Sequence, residues 1–379
     1  MAAMKPVLEL FIDANIVFLL AFCLWVVVQQ GVSRTVYKHN YPAQFRLMKI
    51  ALICIALSPA IAHVSILASK SIWPTTPITI SDIAVASYLR GEIAIPAVEF
   101  EALLGARSRL LDALFDGEAL WLAGVVAALL AVAVLQAIRM LQAAATLRRA
   151  IQGSYLWRRI GKIDVRLSDR VSIPFAARGF VRRYVVLPSS LVSEPKEMRM
   201  ILAHELQHIR DGDVEWELAF EVMRPLMFWN PAFGIWKRSF DQLRELSCDQ
   251  KVIARNRIAT RDYMDCLMGF CKREVSNPLP YAMHVAFFRG QEPLAKRAFA
   301  GRLLALANRP GPSRFALAMP VIAFGMAVGV AVAAASVRQP GDWSQDRLML
   351  STIVNLERLA AINEKGFGRE TWVEAQGAP

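Results

Sequence analysis

Residues 197–213 read EMRMILAHELQHIRDGD, and within them His204-Glu205-Leu206-Gln207-His208 sets two histidines four apart. On an α-helix such residues share a face, so both imidazoles reach one point. Zinc takes neutral imidazole nitrogens and, in catalytic sites, keeps one coordination position open. Glu205 stands beside that point, placed to take a proton from a water activated there. Local signals suit a helix: Ser193 is the expected N-cap, Glu194 and Pro195 fall in the first turn, and Gly212 ends it. Leu202, Leu206 and Ile209 form a separate apolar stripe, which buries one side and leaves the histidines on another.

A third ligand is required. A second helical pattern runs from about Ala232 to Arg255 and carries FDQLRELSCD at 240–249. Glu245 and Asp249 are four apart on it. Glu245 completes a His2Glu set with His204 and His208, and Asp249 orients a ligand imidazole from behind. Asp213 is assigned a like supporting place. Cys248 is expected to point off the face that Glu245 and Asp249 share. A single zinc ion per chain is the expected cofactor.

These residues carry a resemblance. ILAHELQHIRDGD (201–213), FWNP (228–231) and RELSCDQKVI (244–253) resemble the BlaR/MecR-type antirepressor zinc metallopeptidases, which are membrane-embedded gluzincins. Val171–Pro174 through Tyr184–Pro188 resembles the stretch before that family's zinc helix, and the likeness covers about Leu120 to Val337. It implies an endopeptidase that signals by cutting a cytoplasmic target, such as a transcriptional repressor or its own chain. In the β-lactam receptors of the family the last span leads into a penicillin-binding domain with Ser-x-x-Lys and Lys-Thr-Gly motifs. Here Arg338–Pro379 follows, no Lys-Thr-Gly occurs, and the one Ser-x-x-Lys is Ser193–Lys196. No covalent β-lactam binding is expected, and any trigger must reach loop 69–119, the tail, or a partner bound there.

The 379 residues are 55% hydrophobic, and four stretches approach the roughly 20 apolar residues that span a bilayer. They are about Phe11–Val28, Ile50–Ala68, Leu120–Ile138 and Phe315–Val337. The first lacks a small-residue cleavage site and reads as an uncleaved anchor. The formal charge of +12 is uneven. Connection 29–49 holds four basic residues and no acid, and loop 69–119 holds four basic and seven acidic. Residues 139–314 hold 30 basic against 17 acidic, and the tail from Arg338 five against six. Basic segments stay inside, so both termini and loop 69–119 are expected outside and the zinc region in the cytoplasm of a bacterial-type inner membrane. Membrane lipid accounts for the basic surplus, and with no recognised motif direct nucleic-acid binding is not expected.

The expected fold class is therefore a mainly α membrane protein with four transmembrane helices. A cytoplasmic α+β zincin-like (gluzincin) metalloprotease domain lies between the third and fourth. Domains follow: 1–138 for the membrane region, 139–314 for the peptidase, 315–337 for the fourth span and 338–379 for an external tail. Within the peptidase, Ile163–Leu167 alternates like a strand, and Val181–Leu187 is a second, with a turn between them at Pro174 and Gly179. The second, Val181, Arg182, Arg183, Tyr184, Val185, Val186 and Leu187, is the expected edge on which an extended substrate pairs. Arg182 and Arg183 on it either discourage aggregation or favour acidic substrates.

Other features carry less. The aromatic run Leu226–Trp236 suits either the inner membrane surface or the core. Tyr263, Tyr281 and His284 are candidates for stabilising an oxyanion, with nothing to choose among them. Arg199, Arg210, Asp211 and Asp213 flank the zinc motif too closely for it to lie within the bilayer. The five cysteines form no framework. His63 sits near the outer end of the second span, where a neutral histidine costs little. Loop 69–119 has a Pro-rich start (Trp73–Pro77) and an amphipathic, helical part at Pro96–Phe115. In the tail, Trp343–Ile362 has helical character, and Leu348, Ile353 and Leu356 are placed to dock on loop 69–119 or a partner. Gly325-x-x-x-Gly329 points to close helix packing, with a homodimer as one use of it. Two alternatives stand beside a regulatory protease: a housekeeping quality-control protease, and a non-enzymatic receptor stapled by structural zinc. Glu205 argues against the latter, since a structural site has no use for a general base.

Overall fold

The computed structural model describes residues 4–72, 80–116, 120–179, 181–276, 292–308, 318–336 and 348–362. Two compact units emerge: residues 1–20, 54–127 and 328–379 form one, and residues 21–53 and 128–327 the other. The expected spans lie on α1 (Met4–Ser33), α2 (Tyr41–Ile72), α6 (Leu120–Gln152) and α12 (Ala318–Ser336). Among the described residues, Val7–Ser33 and Leu120–Gln152 are long and apolar enough to cross a membrane, and Pro320–Ala334 is apolar but shorter.

In the first unit, α3 (Ile80–Leu89), α4 (Ala97–Leu104) and α5 (Ala106–Phe115) form from loop 69–119. Trp73–Pro77 lies outside the described residues. Val85, Ala97 and Phe100 close a small core with Leu350 and Val354 of a helix over 348–362, here α13. Glu357 accepts hydrogen bonds from the backbone N–H groups of Ala97 and Val98 at the start of α4, 3.2 and 3.1 Å away. The tail thus meets the loop, but by a different face from the expected one. Leu348, Ile353 and Leu356 are exposed, because the period that buries Leu350 and Val354 turns them outward.

The second unit holds a four-stranded sheet, β1 (Tyr155–Ile160), β2 (Ile163–Ser168), β3 (Phe175–Arg178) and β4 (Arg183–Pro188), in the order β1-β2-β4-β3. β2 and β4 run parallel, and the outer pairs are antiparallel. Both expected strands form. Val181–Leu187 is nevertheless not an edge, because β4 bonds to β2 on one side and β3 on the other. Residues Pro174–Gly179, expected as a turn, supply β3, which with β1 forms the two edges of the sheet, and β3 is the edge that lies beside α7. Gly179 follows it because the Tyr184 ring comes so close that a Cβ there would sit 2.8 Å from Cε2. Arg182 and Arg183 are paired at home, with Asp164 at 2.8 Å and Glu215 at 2.7 Å.

Alternate residues of β2 and β4, Val165, Leu167, Val185 and Leu187, point to one side. They pack on Met198, Ile201 and Ile209 of α7 (Pro195–Asp211), with Leu202 and Leu206 flanking as the stripe requires. Helices α8 (Asp213–Met227), α9 (Pro231–Asn256), α10 (Thr260–Ser276) and α11 (Glu292–Ala307) complete the unit. The aromatic run divides: Phe233 and Trp236 are buried, whereas Trp229 is exposed. Trp236 stacks on Trp25 of α1, and Phe240 meets Phe45 of α2 at 5.0 Å between ring centres.

Candidate metal centre

Helix α7 begins one step later than its sequence signals suggest. Pro195 takes the first helical position, while Ser193 ends a short 3-10 turn and bonds back to the Ser190 carbonyl. The other end follows expectation: Gly212 adopts the left-handed conformation (φ 70°, ψ 26°), and its N–H closes on the His208 and Ile209 carbonyls. That sharp stop lets α8 start at once, bringing Asp213 back beside His208. Asn230 caps α9 through a bond from the Ala232 N–H, and α9 then lies beside α7 and supplies the remaining groups.

The Nε2 atoms of His204 and His208 stand 3.0 Å apart. Glu245 faces them, with Oε2 3.5 Å from His204 Nε2 and Oε1 3.7 Å from His208 Nε2. Behind the rings, His208 Nδ1 meets Asp213 Oδ2 at 2.9 Å, and His204 Nδ1 meets the Tyr263 hydroxyl at 2.9 Å. Tyr263 donates in turn to Asp249 Oδ1 at 2.8 Å. These partners assign each ring proton to Nδ1. Both Nε2 atoms and the Glu245 carboxylate then converge on one point, which a proton or a metal cation can fill. A metal about 2 Å from each donor fits the triangle they form.

Charge around Glu245 is heavily managed. Arg302 of α11 lies 3.2 Å from its Oε2, and Arg244 lies 3.2 Å from Oε1. Burial alone would raise the Glu245 carboxyl, but Arg302, the two histidines and Arg244 more than offset it and hold it well below the usual carboxylate range. Arg302 also grips Asp249 through bonds of 2.7 and 2.8 Å. Against the same opposing burial, that pairing holds Asp249 down to about 2. Burial raises the Tyr263 hydroxyl, which keeps its proton and stays a donor. Arg244 continues to Glu217 at 2.7 Å, and Lys237 bridges Glu217 and Asp241 at 3.0 and 2.6 Å.

The structure thus brings His204, His208, Glu245, Asp249 and Asp213 together, with Glu205 nearly buried on the same helix. Asp249 reaches His204 chiefly through Tyr263, its own oxygen being 3.4 Å from Nδ1. Tyr263 is buried and committed to that bond, so it is not free to stabilise an oxyanion; Tyr281 and His284 lie outside the described residues. Cys248 corrects an expectation. Its sulfur does not point away but sits 3.5 Å from His204 Nδ1 and from the His204 carbonyl, making His204, His208 and Cys248 a rival donor group. Glu245 faces the two Nε2 atoms, whereas the thiol contacts the protonated side of His204, so the carboxylate is the better third donor. Substrate edge residues Val181–Leu187 contribute no free strand. Arg302 and Lys49 were not legible as site residues, since each is an isolated cation far in sequence from the motif, and Arg244, though next to Glu245, has no ligand role that spacing assigns.

Two histidines one helical turn apart on α7, a glutamate between them and a carboxylate from α9 make this a site of metallopeptidase type. The chain belongs to the BlaR1 peptidase M56 family, whose match covers residues 9–298. It is also similar to the methicillin resistance mecR1 proteins of Staphylococcus aureus and Staphylococcus epidermidis, 30% identical over 93 residues. That alignment takes in 24% of this chain and 16% of the length of those relatives.

Proposed function

We propose that the protein is a membrane-anchored zinc endopeptidase that cuts a regulatory protein, a transcriptional repressor or its own chain. The observation that carries this reading is the convergence of His204 Nε2, His208 Nε2 and the Glu245 carboxylate beside Glu205. His204, His208 and Glu245 would hold the metal, and zinc bound there supplies Lewis acidity toward a peptide carbonyl and a water. Glu205 accepts the attacking water's proton and passes it to the departing amine. Tyr263 and Asp213 fix the two rings, and Asp249 and Arg302 steady Tyr263 and Glu245. Of the two sheet edges, Phe175–Arg178 is the one packed beside α7, and it is where an extended substrate backbone pairs.

The membrane reading rests on α1 and α6. Among the described residues, none of Leu120–Gln152 is buried, and a long apolar helix so exposed belongs in lipid. The charge distribution favours a cytoplasmic peptidase region with both termini external, and a protein substrate inside the cell follows from it. A reporter joined after Arg149 should read as cytoplasmic and one after Gly341 as external, and the reverse pattern excludes a cytoplasmic repressor as substrate. Substrate identity is tested by comparing new protein N-termini in cells carrying the full chain with those carrying Glu205→Gln. A cleaved regulator present only with Glu205 supports the proposal, and broad cleavage of unfolded proteins supports a housekeeping role instead.

A further inference from the structure

Helix α2 enters the second unit at Tyr41 and brings Lys49 to the back of the metal centre. Its Nζ donates to Asp213 Oδ1 at 2.8 Å and to the Asp211 carbonyl at 2.8 Å. Its third side rests over the Phe45 ring, 4.2 Å from the centre. Asp213 is 2% exposed, and its other oxygen is the one that holds His208 Nδ1. Asp211 is the last residue of α7, so the same ammonium also closes the carbonyl end of the zinc helix, where a cation is favoured. The surroundings fix this placement. Phe45 is buried against Phe240, and Gln250 of α9 donates to the His39 carbonyl at 2.9 Å.

We infer that Lys49 is a positioning residue for the metal centre, acting on His208 through Asp213. A buried carboxylate whose partner is a neutral, metal-ligating imidazole keeps its charge only with a cation beside it. Lys49 is that cation, and by occupying Oδ1 it leaves Oδ2 to His208. With Lys49 removed, Asp213 loses the contact that fixes its Oδ1 and is free to rotate, and the His208 ring loses its fixed direction. The peptidase site is thereby completed by a segment about 160 positions upstream of it in sequence, carried on the helix that continues to Ile72. This inference rests on the metal reading above.

Cobalt(II) titration of the full chain in detergent separates the two claims, because cobalt's visible absorption reports the ligand field directly. The native chain should bind stoichiometrically, whereas Lys49→Met should bind about 10–100-fold more weakly with an altered spectrum. Lys49→Arg, which keeps a cation there, should recover most of the affinity. In an Asp213→Asn background, Lys49→Met should add little, since the carboxylate it serves is gone. Native affinity and spectrum in Lys49→Met, or a full additional loss in Asp213→Asn, would overturn the inference while leaving the metal centre intact. A native chain that binds no cobalt overturns the metal reading and this inference with it. A lowered melting temperature with unchanged cobalt affinity makes Lys49 a helix clamp only and also overturns it.

Discussion

Arg302 holds Asp249 by two bonds, of 2.7 and 2.8 Å, and reaches the Glu245 carboxylate at 3.2 Å with its remaining nitrogen. One guanidinium thus sets both the Glu245 carboxylate and the acid that steadies His204 through Tyr263. Arg302→Met should weaken zinc binding by about 10–100-fold, and Arg302→Lys, which cannot make the fork, should recover only part of it. Competition with a zinc chelator measures this. Unchanged affinity in Arg302→Met would show that Glu245 needs no such support.

Tyr263→Phe removes one hydroxyl that serves two groups, His204 Nδ1 and Asp249. Leaving a buried donor unmet costs about 1–3 kcal/mol, so the melting temperature should fall. Zinc affinity should fall as well, because His204 is free to turn. Thermal unfolding with and without zinc separates the two effects: a loss confined to the zinc-free protein would contradict the role given to Tyr263.

Gly179 was visible in the sequence only as part of a turn, yet its lack of a side chain is what lets Tyr184 close over the end of β3. Gly179→Ala should displace that strand, at a cost of about 1–3 kcal/mol. If β3 is the substrate edge, the substrate concentration for half-maximal cleavage should rise with zinc content unchanged. Peptide kinetics paired with metal analysis gives both numbers. Unaltered kinetics in a folded variant would place substrate elsewhere.

Protons should compete with the metal. Burial opposes charge on His208, but Cys248, Glu245 and Asp213 around it prevail and push it up to about 10 in the metal-free protein. A raised value means the charged ring stabilises the metal-free fold at low pH and loses that contribution as pH climbs through about 10. Zinc needs the neutral ring, so binding must release protons and tighten as pH rises across the neutral range. Calorimetry in buffers of different ionisation heat counts the protons released. Zinc binding without proton release would contradict a charged His208 in the metal-free protein.

Much of the centre was legible because it is local. His204, Glu205 and His208 are fixed by helical spacing, and Glu245 with Asp249 by the same spacing on α9. Helix ends were read within a residue or two, as Gly212 and Pro195 show. What failed was long-range. Whether Val181–Leu187 is an edge depends on which strand pairs beside it, and the four-residue β3 is too short to announce itself. Cys248 turned inward because burial of α9 on two sides draws a small apolar side chain into the core. Lys49 and Arg302 come from helices far along the chain, and no spacing rule joins them to the motif.

The most direct test of the account is zinc content, per chain, of the purified protein and five variants. His204→Ala, His208→Ala and Glu245→Ala should each lose nearly all bound zinc, whereas Glu205→Gln should keep about one ion per chain. Full zinc in Glu245→Ala, with loss in Cys248→Ser instead, would contradict the assignment and make the buried thiol the third ligand.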